Sequence, residues 1–106
     1  MKTMLINDVT YIIGSNAADN TQMVKDSDSG WMWFHLEKFP SCHVVLCKSD
    51  CSDVEIMTAA SLVKTHSKYK FKHIGVHYTN VGNLTHCAKP GAVCFISKRK
   101  VKSVSV

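Results

Sequence analysis

The sequence of 106 residues lacks several features that would place it in a familiar class. No apolar run approaches the ~20 residues needed to span a bilayer, so no membrane association is expected. Asn7 and Asp8 interrupt the apolar N-terminal stretch, and no secretory signal is predicted. The phosphate-loop, dinucleotide-binding and nucleophile-elbow motifs are absent, which argues against the common nucleotide-binding enzymes and hydrolases.

Acidic residues are missing from the chain beyond Glu55. Residues 1–53 carry four lysines against seven acids, a net charge of −3, whereas residues 54–106 carry nine lysines and arginines against one acid, a net charge of +8. A half-chain this basic predicts a polyanionic partner. The alternative is that the excess positive charge only keeps a small domain in solution.

The five cysteines have neither the spacing of a disulfide framework nor that of a zinc site. With no secretory signal, they are predicted to be reduced thiols in a cytoplasmic protein. Neither a metal nor another cofactor is expected. Cys42 beside His43 is the best candidate for a catalytic nucleophile, but no third member of a catalytic group is recognisable. The sequence therefore predicts a protein that is not an enzyme.

The stretch from Trp31 to Leu46 is the most informative part of the chain. Its aromatic first half alternates with a period of two, with Met32, Phe34 and Leu36 on one face and Trp31, Trp33 and His35 on the other. A connection with Pro40 and Ser41 leads to a second, β-branched strand that starts at His43. The pattern predicts a hairpin in which His35 faces His43. These histidines either form a site or cap an aromatic cluster.

Local patterns elsewhere predict two helices and four further strands, which makes about six strands in all. Asn16 is the expected N-cap of a helix over 17–25, and Ser52 with Glu55 forms a capping box for a helix that runs to about residue 67. Further strands are predicted at 9–13, 70–79, 92–96 and 101–106, with a turn at Pro90-Gly91 and a final hairpin around 97–100. This order predicts one compact α+β domain, residues 1–106, with a mainly antiparallel or mixed sheet.

The basic residues of the second half are candidates for phosphate contacts. They are expected to form one positive surface from the end of the second helix, the residues after it and the tip of the final hairpin: Lys64, Lys68, Lys70, Lys72, Lys98, Arg99 and Lys100. Favourable interaction with the helix dipole is the alternative role of the helix-end lysines. Trp31, Trp33 and Tyr78 are candidates for base stacking, with packing in the core as their alternative.

The chain resembles the NFACT-R domain, an RNA-binding module of ribosome quality-control proteins. The resemblance is closest to short eukaryotic members of the coiled-coil domain-containing 25 type. The most specific match is Trp33–Leu36 followed by Pro40–Val44. Further matches are Gly14-x-Asn16-x-x-x-Asn20, Ala59–Val63 with Ser67-Lys68, Tyr78-Thr79, and Lys89-Pro90-Gly91-x-Val93.

This resemblance implies a non-enzymatic RNA-binding domain in a translation setting, with transfer RNA, ribosomal RNA or the ribosome as partner. It implies site residues at the matching positions: Asn16, Asn20, His35, His43, Ser67 and Lys68. The charge pattern adds Lys89 to the basic residues named above. DNA is a further possible ligand, and a monomer is expected. The rival interpretation is a protein-interaction module that docks on the ribosome or on a quality-control factor.

Overall fold

Eight strands and two helices make up the computed structural model over residues 1–89 and 91–106, the residues that it describes. The strands are β1 (Lys2–Ile6), β2 (Val9–Gly14), β3 (Met32–Leu36), β4 (His43–Leu46), β5 (Gly75–Asn80), β6 (Leu84–His86), β7 (Val93–Phe95) and β8 (Lys102–Ser105). The helices are α1 (Ala17–Asp26) and α2 (Asp53–Thr65). The predicted α+β class is confirmed.

Six strands form one antiparallel sheet in the order β1-β2-β4-β3-β5-β8. The central hairpin was predicted correctly, since β3 pairs with β4 in a register that sets Phe34 opposite Val44. The same register, extended by one residue, brings His35 and His43 together beyond the last pair. Strands β6 and β7 form a separate antiparallel pair.

The period-two alternation divides the core between the two faces of this sheet. On one face, Phe34, Leu36 and Val44 are fully buried in a cluster that includes residues of α2. On the other face, Trp33 and Val45 belong to a smaller cluster with Met23 of α1 and residues of the β6–β7 region. Helix α2 therefore covers one face, while α1 and the small β-pair cover the face that carries the histidines.

Both helices begin at the predicted residues. The Asn16 side chain accepts a hydrogen bond from the backbone N–H of Asp19, and Ser52 and Glu55 make both bonds of a capping box. These contacts satisfy N–H groups that have no partner within the helix. Within the described residues, neither helix is long and apolar enough to cross a membrane.

Strand β1 was not predicted. It pairs with β2 through a tight turn at Asn7 and Asp8, which have positive φ angles of 49° and 65°. Asn and Asp tolerate this left-handed conformation better than most residues, and a turn of this hand matches the twist of a hairpin. The two polar residues that interrupt the apolar N-terminal stretch are thus the turn between two strands.

The predicted final hairpin is wrong. Strand β7 pairs with β6 and β8 pairs with β5, so residues 97–100 connect two sheets and contain a short 3₁₀ turn at Lys98–Lys100. The Asn83 side chain holds this connection, because it donates to the carbonyl of Ser97 and accepts from its N–H, both at 2.9 Å. The strand predicted at 70–79 begins only at Gly75.

Two further outcomes concern the segment between β6 and β7. Cys87 and Cys94 form a disulfide, so the prediction of reduced thiols is wrong for this pair. The antiparallel pairing of β6 with β7 brings the Cα atoms of Cys87 and Cys94 to 5.7 Å from each other, within the range that a disulfide requires. In the predicted Pro90-Gly91 turn, Pro90 lies outside the described residues, whereas Gly91 has a φ of +78°.

Candidate functional site

A groove lies where β2 and β3 end and β4 begins. It has a volume of about 270 Å³ and is lined by the start of α1, the β3–β4 hairpin and the segment before β7. Five predicted site residues from these separate segments line it: Asn16, Asn20, His35, His43 and Lys89. We call it the Asn20 groove. Lys89, at its rim, is exposed.

Asn20 has an unusual environment within the groove. Its side chain is only 9% exposed, and its Oδ1 atom has no hydrogen-bond partner among the described residues. Gly14 allows this close packing, because a Cβ atom at that position would lie 2.6 Å from Asn20 Oδ1. A buried polar atom without a partner costs ~1–3 kcal/mol. The wall of the groove therefore contains a buried amide oxygen that packs against Gly14 and lowers the stability of the fold.

His43 is held as a neutral imidazole with a defined tautomer. The indole Nε1–H of Trp33 donates to His43 Nδ1 at 3.0 Å, so the proton of the neutral ring is on Nε2. Burial, with smaller contributions from His35 and His77, lowers the pKa of His43 to about 3. At neutral pH, His43 therefore supplies a hydrogen-bond donor and no positive charge.

His35 is the complementary partner. Its Nδ1 atom lies 2.6 Å from the carbonyl oxygen of Leu36, which can only accept, so Nδ1 carries the proton and Nε2 is the acceptor. Burial lowers the pKa of His35, although the bond to Leu36 opposes that effect. The ring stacks on Trp33 at 5.7 Å and meets the His43 ring edge-on at 5.0 Å. The pair thus offers one donor and one acceptor.

His77 completes an aromatic cluster with His35 and Trp33. Its ring centroid lies 5.7 Å from that of His35, and burial lowers its pKa while Glu37 opposes the shift. These residues, with Phe95 of β7, line a smaller cavity of about 200 Å³ next to the groove. Among the described residues, no three metal-ligating side chains come together in a way that would hold an ion.

The predicted basic surface is divided between the two ends of β5. Lys68, Lys70 and Lys72 lie after α2, near the Gly75 end, whereas the carbonyl of Lys100 accepts a hydrogen bond from Thr79 at the other end. At ~3.3 Å per residue, the four residues from Gly75 to Thr79 separate these groups by ~13 Å. The side chains of Lys98, Arg99 and Lys100 are exposed in the 3₁₀ turn.

Two predicted residues make structural contacts. The ammonium group of Lys64 donates to the backbone carbonyls of Lys72 and Val106, each at 3.0 Å. The hydroxyl of Ser67 is buried and donates to the carbonyl of Lys64 at 2.9 Å. Both side chains therefore fasten the end of α2 to the residues that follow it.

The stacking candidates were mostly core residues. Trp33 and Tyr78 are buried, and Trp31 is half-buried against the smaller cluster. Ser41 and Gly91, by contrast, line the groove but were not predicted as site residues. Ser41 accepts from the N–H of Leu36, and a Cβ atom on Gly91 would lie 2.6 Å from the Cα of Ala17. Ser41 and Gly91 both lie in segments that match the family motifs, and this match could have marked them as site residues.

Comparison with known proteins identifies the family of this chain. The model of the NFACT protein RNA binding domain matches residues 3–96, which include both helices, strands β1 to β7 from Thr3 onward and every residue that lines the groove, but not β8. The chain belongs to the NFACT-R family. The predicted membership is confirmed.

Relatives of this NFACT-R chain include coiled-coil domain-containing protein 25 of Mus musculus, 32% identical over 95% of this chain and 54% of the relative. Another is the Rqc2 homolog RqcH of Bacillus subtilis, 31% identical over 88% of this chain and 17% of the relative. The C-terminal region of a fibronectin/fibrinogen-binding protein from Streptococcus suis has a TM-score of 0.89 at 27% identity, covering 99% of this chain and 44% of that one. The chain thus spans about half or less of each of these proteins.

Proposed function

We propose that this chain binds RNA through the Asn20 groove, as a non-enzymatic domain in a cytoplasmic translation or ribosome-associated quality-control setting. The observation that carries the proposal is the convergence of Asn16, Asn20, His35, His43 and Lys89 on one groove that contains a buried amide oxygen without a partner. Membership of a family described as RNA-binding supports the ligand. Similarity to a protein named Rqc2 homolog supports the setting.

The groove suits nucleotide groups that form directional hydrogen bonds. His35 Nε2 is an acceptor and His43 Nε2–H is a donor, whereas the two imidazoles carry no charge at neutral pH. Base edges and the ribose 2′-hydroxyl present complementary donors and acceptors. Phosphate contacts fall to exposed cations: Lys68, Lys70, Lys72, Lys89, Lys98, Arg99 and Lys100.

Asn20→Ala provides a sharp test, with Asn83→Ala as the matched control. Both asparagines are buried, but Asn83 makes three hydrogen bonds within the protein, whereas Asn20 Oδ1 makes none. We expect Asn20→Ala to weaken RNA binding by about tenfold, the equivalent of ~1.4 kcal/mol, without loss of stability. Asn83→Ala should lower the melting temperature and leave the affinity of the folded protein unchanged.

The assay is binding of transfer RNA, ribosomal RNA fragments and duplex DNA across a salt series, with thermal melting of each variant. If about four phosphates are contacted, log K should fall with log salt at a slope of roughly −3. Absence of RNA binding at low salt would refute the proposal. Equal affinity of Asn20→Ala and the wild type would remove the groove from the site.

The alternative ligands are distinguishable in the same experiment. A protein-docking module would bind ribosomes with little dependence on salt and would not bind purified RNA. Preference for duplex DNA over every RNA would assign the basic residues to a DNA-binding role. Both outcomes contradict the RNA assignment.

A further inference from the structure

A second site lies outside the groove, where three aromatic side chains meet beside the end of α2. Phe39 comes from the β3–β4 connection, and Tyr69 and Phe71 come from the loop before β5. Their ring centroids are 4.5 Å apart for Phe39 and Tyr69 and 5.6 Å apart for Phe39 and Phe71. The Tyr69 and Phe71 rings are nearly parallel, with 9° between their planes. We call this group the Phe71 platform.

The platform is anchored on one side and open on the other. Phe39 and Tyr69 are half-buried and pack against the main core cluster. Phe71, in contrast, is 52% exposed, although full burial of a phenylalanine side chain contributes ~1.5–3 kcal/mol. A cleft of about 320 Å³ adjoins the exposed ring and is also lined by Glu37, His73 and Gly75. This volume is at the lower end of the ~300–1,000 Å³ typical of ligand pockets, which fits one small planar group.

Positive charge surrounds the platform. Lys68, Lys70 and Lys72 alternate with the two loop aromatics, and Lys38 lines the cleft beside Phe39. Lys68 Nζ lies 5.7 Å from the centroid of the Tyr69 ring. Among the residues that line the cleft, the acid is Glu37, whose carboxylate can accept from an exocyclic amino group of a base. An exposed aromatic residue with cations at both neighbouring positions of the chain is suited to bind a base by stacking and the backbone by charge.

We infer that the Phe71 platform binds an unpaired nucleotide of a single-stranded RNA segment, with its base on Phe71 and the neighbouring phosphates on Lys70 and Lys72. This inference rests on the proposed RNA-binding function and adds that part of the ligand is single-stranded. Bases paired within a duplex are stacked on their neighbours and cannot occupy the cleft. Of the residues first predicted to stack, Trp33 and Tyr78 are buried and Trp31 is half-buried against the smaller cluster, whereas Phe71 is 52% exposed.

The test compares Phe71→Ala with Phe71→Trp, and Leu5→Ala serves as the control. Leu5 is 69% exposed on β1, at the opposite edge of the sheet from β8. Base stacking is lost in Phe71→Ala, so affinity for single-stranded oligouridylate and oligoadenylate should fall by about 5- to 150-fold. Affinity for a blunt RNA duplex and the slope of log K against log salt should remain as in the wild type. Leu5→Ala should bind as the wild type does.

Phe71→Trp adds a spectroscopic readout that a structural role would not change. A base stacked on this indole should quench its fluorescence on addition of single-stranded RNA, beyond any change seen in the wild type with Trp31 and Trp33. Unchanged affinity of Phe71→Ala together with an unquenched Phe71→Trp would overturn the inference. An equal loss for duplex and single-stranded RNA, or a loss confined to DNA oligomers, would overturn it as well. These results would refute only the role of the Phe71 platform if the wild type binds RNA and Asn20→Ala weakens that binding. The proposed RNA-binding function of the Asn20 groove would then stand.

Discussion

Lowering the pH should destabilise the protein before any carboxylate is titrated. His43 is 5% exposed, accepts a hydrogen bond from Trp33, and has a pKa of about 3 in the folded protein. In the unfolded chain, its pKa returns to about 6.5. Between these values the unfolded state binds one more proton than the folded state, so the free energy of unfolding must decrease as the pH falls.

The size of this destabilisation follows from the interval between the pKa values of His43 in the folded and unfolded states. Each pH unit between the two pKa values changes the free energy of unfolding by ~1.4 kcal/mol for each such group. From about pH 6.5 to pH 5, His43 alone should therefore remove ~2 kcal/mol. His35 and His77, whose pKa values are also lowered by burial, should add to this loss. The interval from pH 7 to pH 5 lies above the ordinary carboxyl pKa values of about 4, so the histidines dominate the change in stability there.

The assay is urea unfolding at about pH 7, 6 and 5, followed by the fluorescence of buried Trp33, in the wild type, His43→Gln and His86→Gln. His43→Gln removes the buried imidazole. The slope of the free energy of unfolding against pH should therefore decrease by the contribution of about one proton. His86→Gln removes an exposed histidine of β6 and should keep the wild-type slope. A wild-type free energy of unfolding that is equal at pH 7 and pH 5 would refute the reasoning, as would an unchanged slope in His43→Gln.

Three other predictions concern the surroundings of the groove. Gly91→Ala should destabilise the protein by ~1–3 kcal/mol in thermal melting and weaken RNA binding, because Gly91 has a φ of +78° and a Cβ atom there would lie 2.6 Å from the Cα of Ala17. Reduction of the Cys87–Cys94 disulfide, which links residues seven apart, should lower the stability by ~2.5 kcal/mol on the chain-entropy estimate. The combined Lys98→Ala, Arg99→Ala and Lys100→Ala variant should bind transfer RNA severalfold more weakly at nearly unchanged melting temperature. The affinity for a short oligonucleotide that reaches only the Asn20 groove should be the same in this variant and in the wild type.

A specific result would contradict each of these predictions. An unchanged melting temperature in Gly91→Ala would show that the segment before β7 does not depend on its contact with α1. A Cys87→Ser and Cys94→Ser double variant should no longer respond to reductant, and an equal response in it and the wild type would assign the effect elsewhere. Unchanged affinity for transfer RNA in the triple variant would place the 3₁₀ turn outside the interface.

Local chemistry predicted those elements whose signals lie within a few residues. The caps at Asn16 and Ser52 and the alternation of the β3–β4 hairpin needed no knowledge of distant contacts. The partner of β7 could not be predicted in this way, because three residues with little burial do not specify which strand they join. The same limit applies to Cys87 and Cys94, which meet only once β6 is known to be a strand.

The groove depended on a different kind of information. Asn16, Asn20, His35 and His43 were selected because they match family motifs, and the structure brings them together with Lys89. The charge pattern predicted a polyanionic ligand but not the position of each cation, since a count of lysines contains no topology. The exposure of each aromatic side chain could not be predicted either. Trp33 is an aromatic residue that could stack on a base but is buried, whereas Phe71 lies at the surface.

The most direct test of RNA binding through the Asn20 groove is titration of the isotopically labelled protein with transfer RNA, followed by nuclear magnetic resonance of side-chain nitrogens. We expect the side-chain amide of Asn20, the imidazoles of His35 and His43, and the indole N–H of Trp33 to shift together, while the amide of Asn83 stays in place. Shifts confined to the 3₁₀ turn at Lys98–Lys100 or to the exposed face of α2, with the groove signals unmoved, would contradict the proposal.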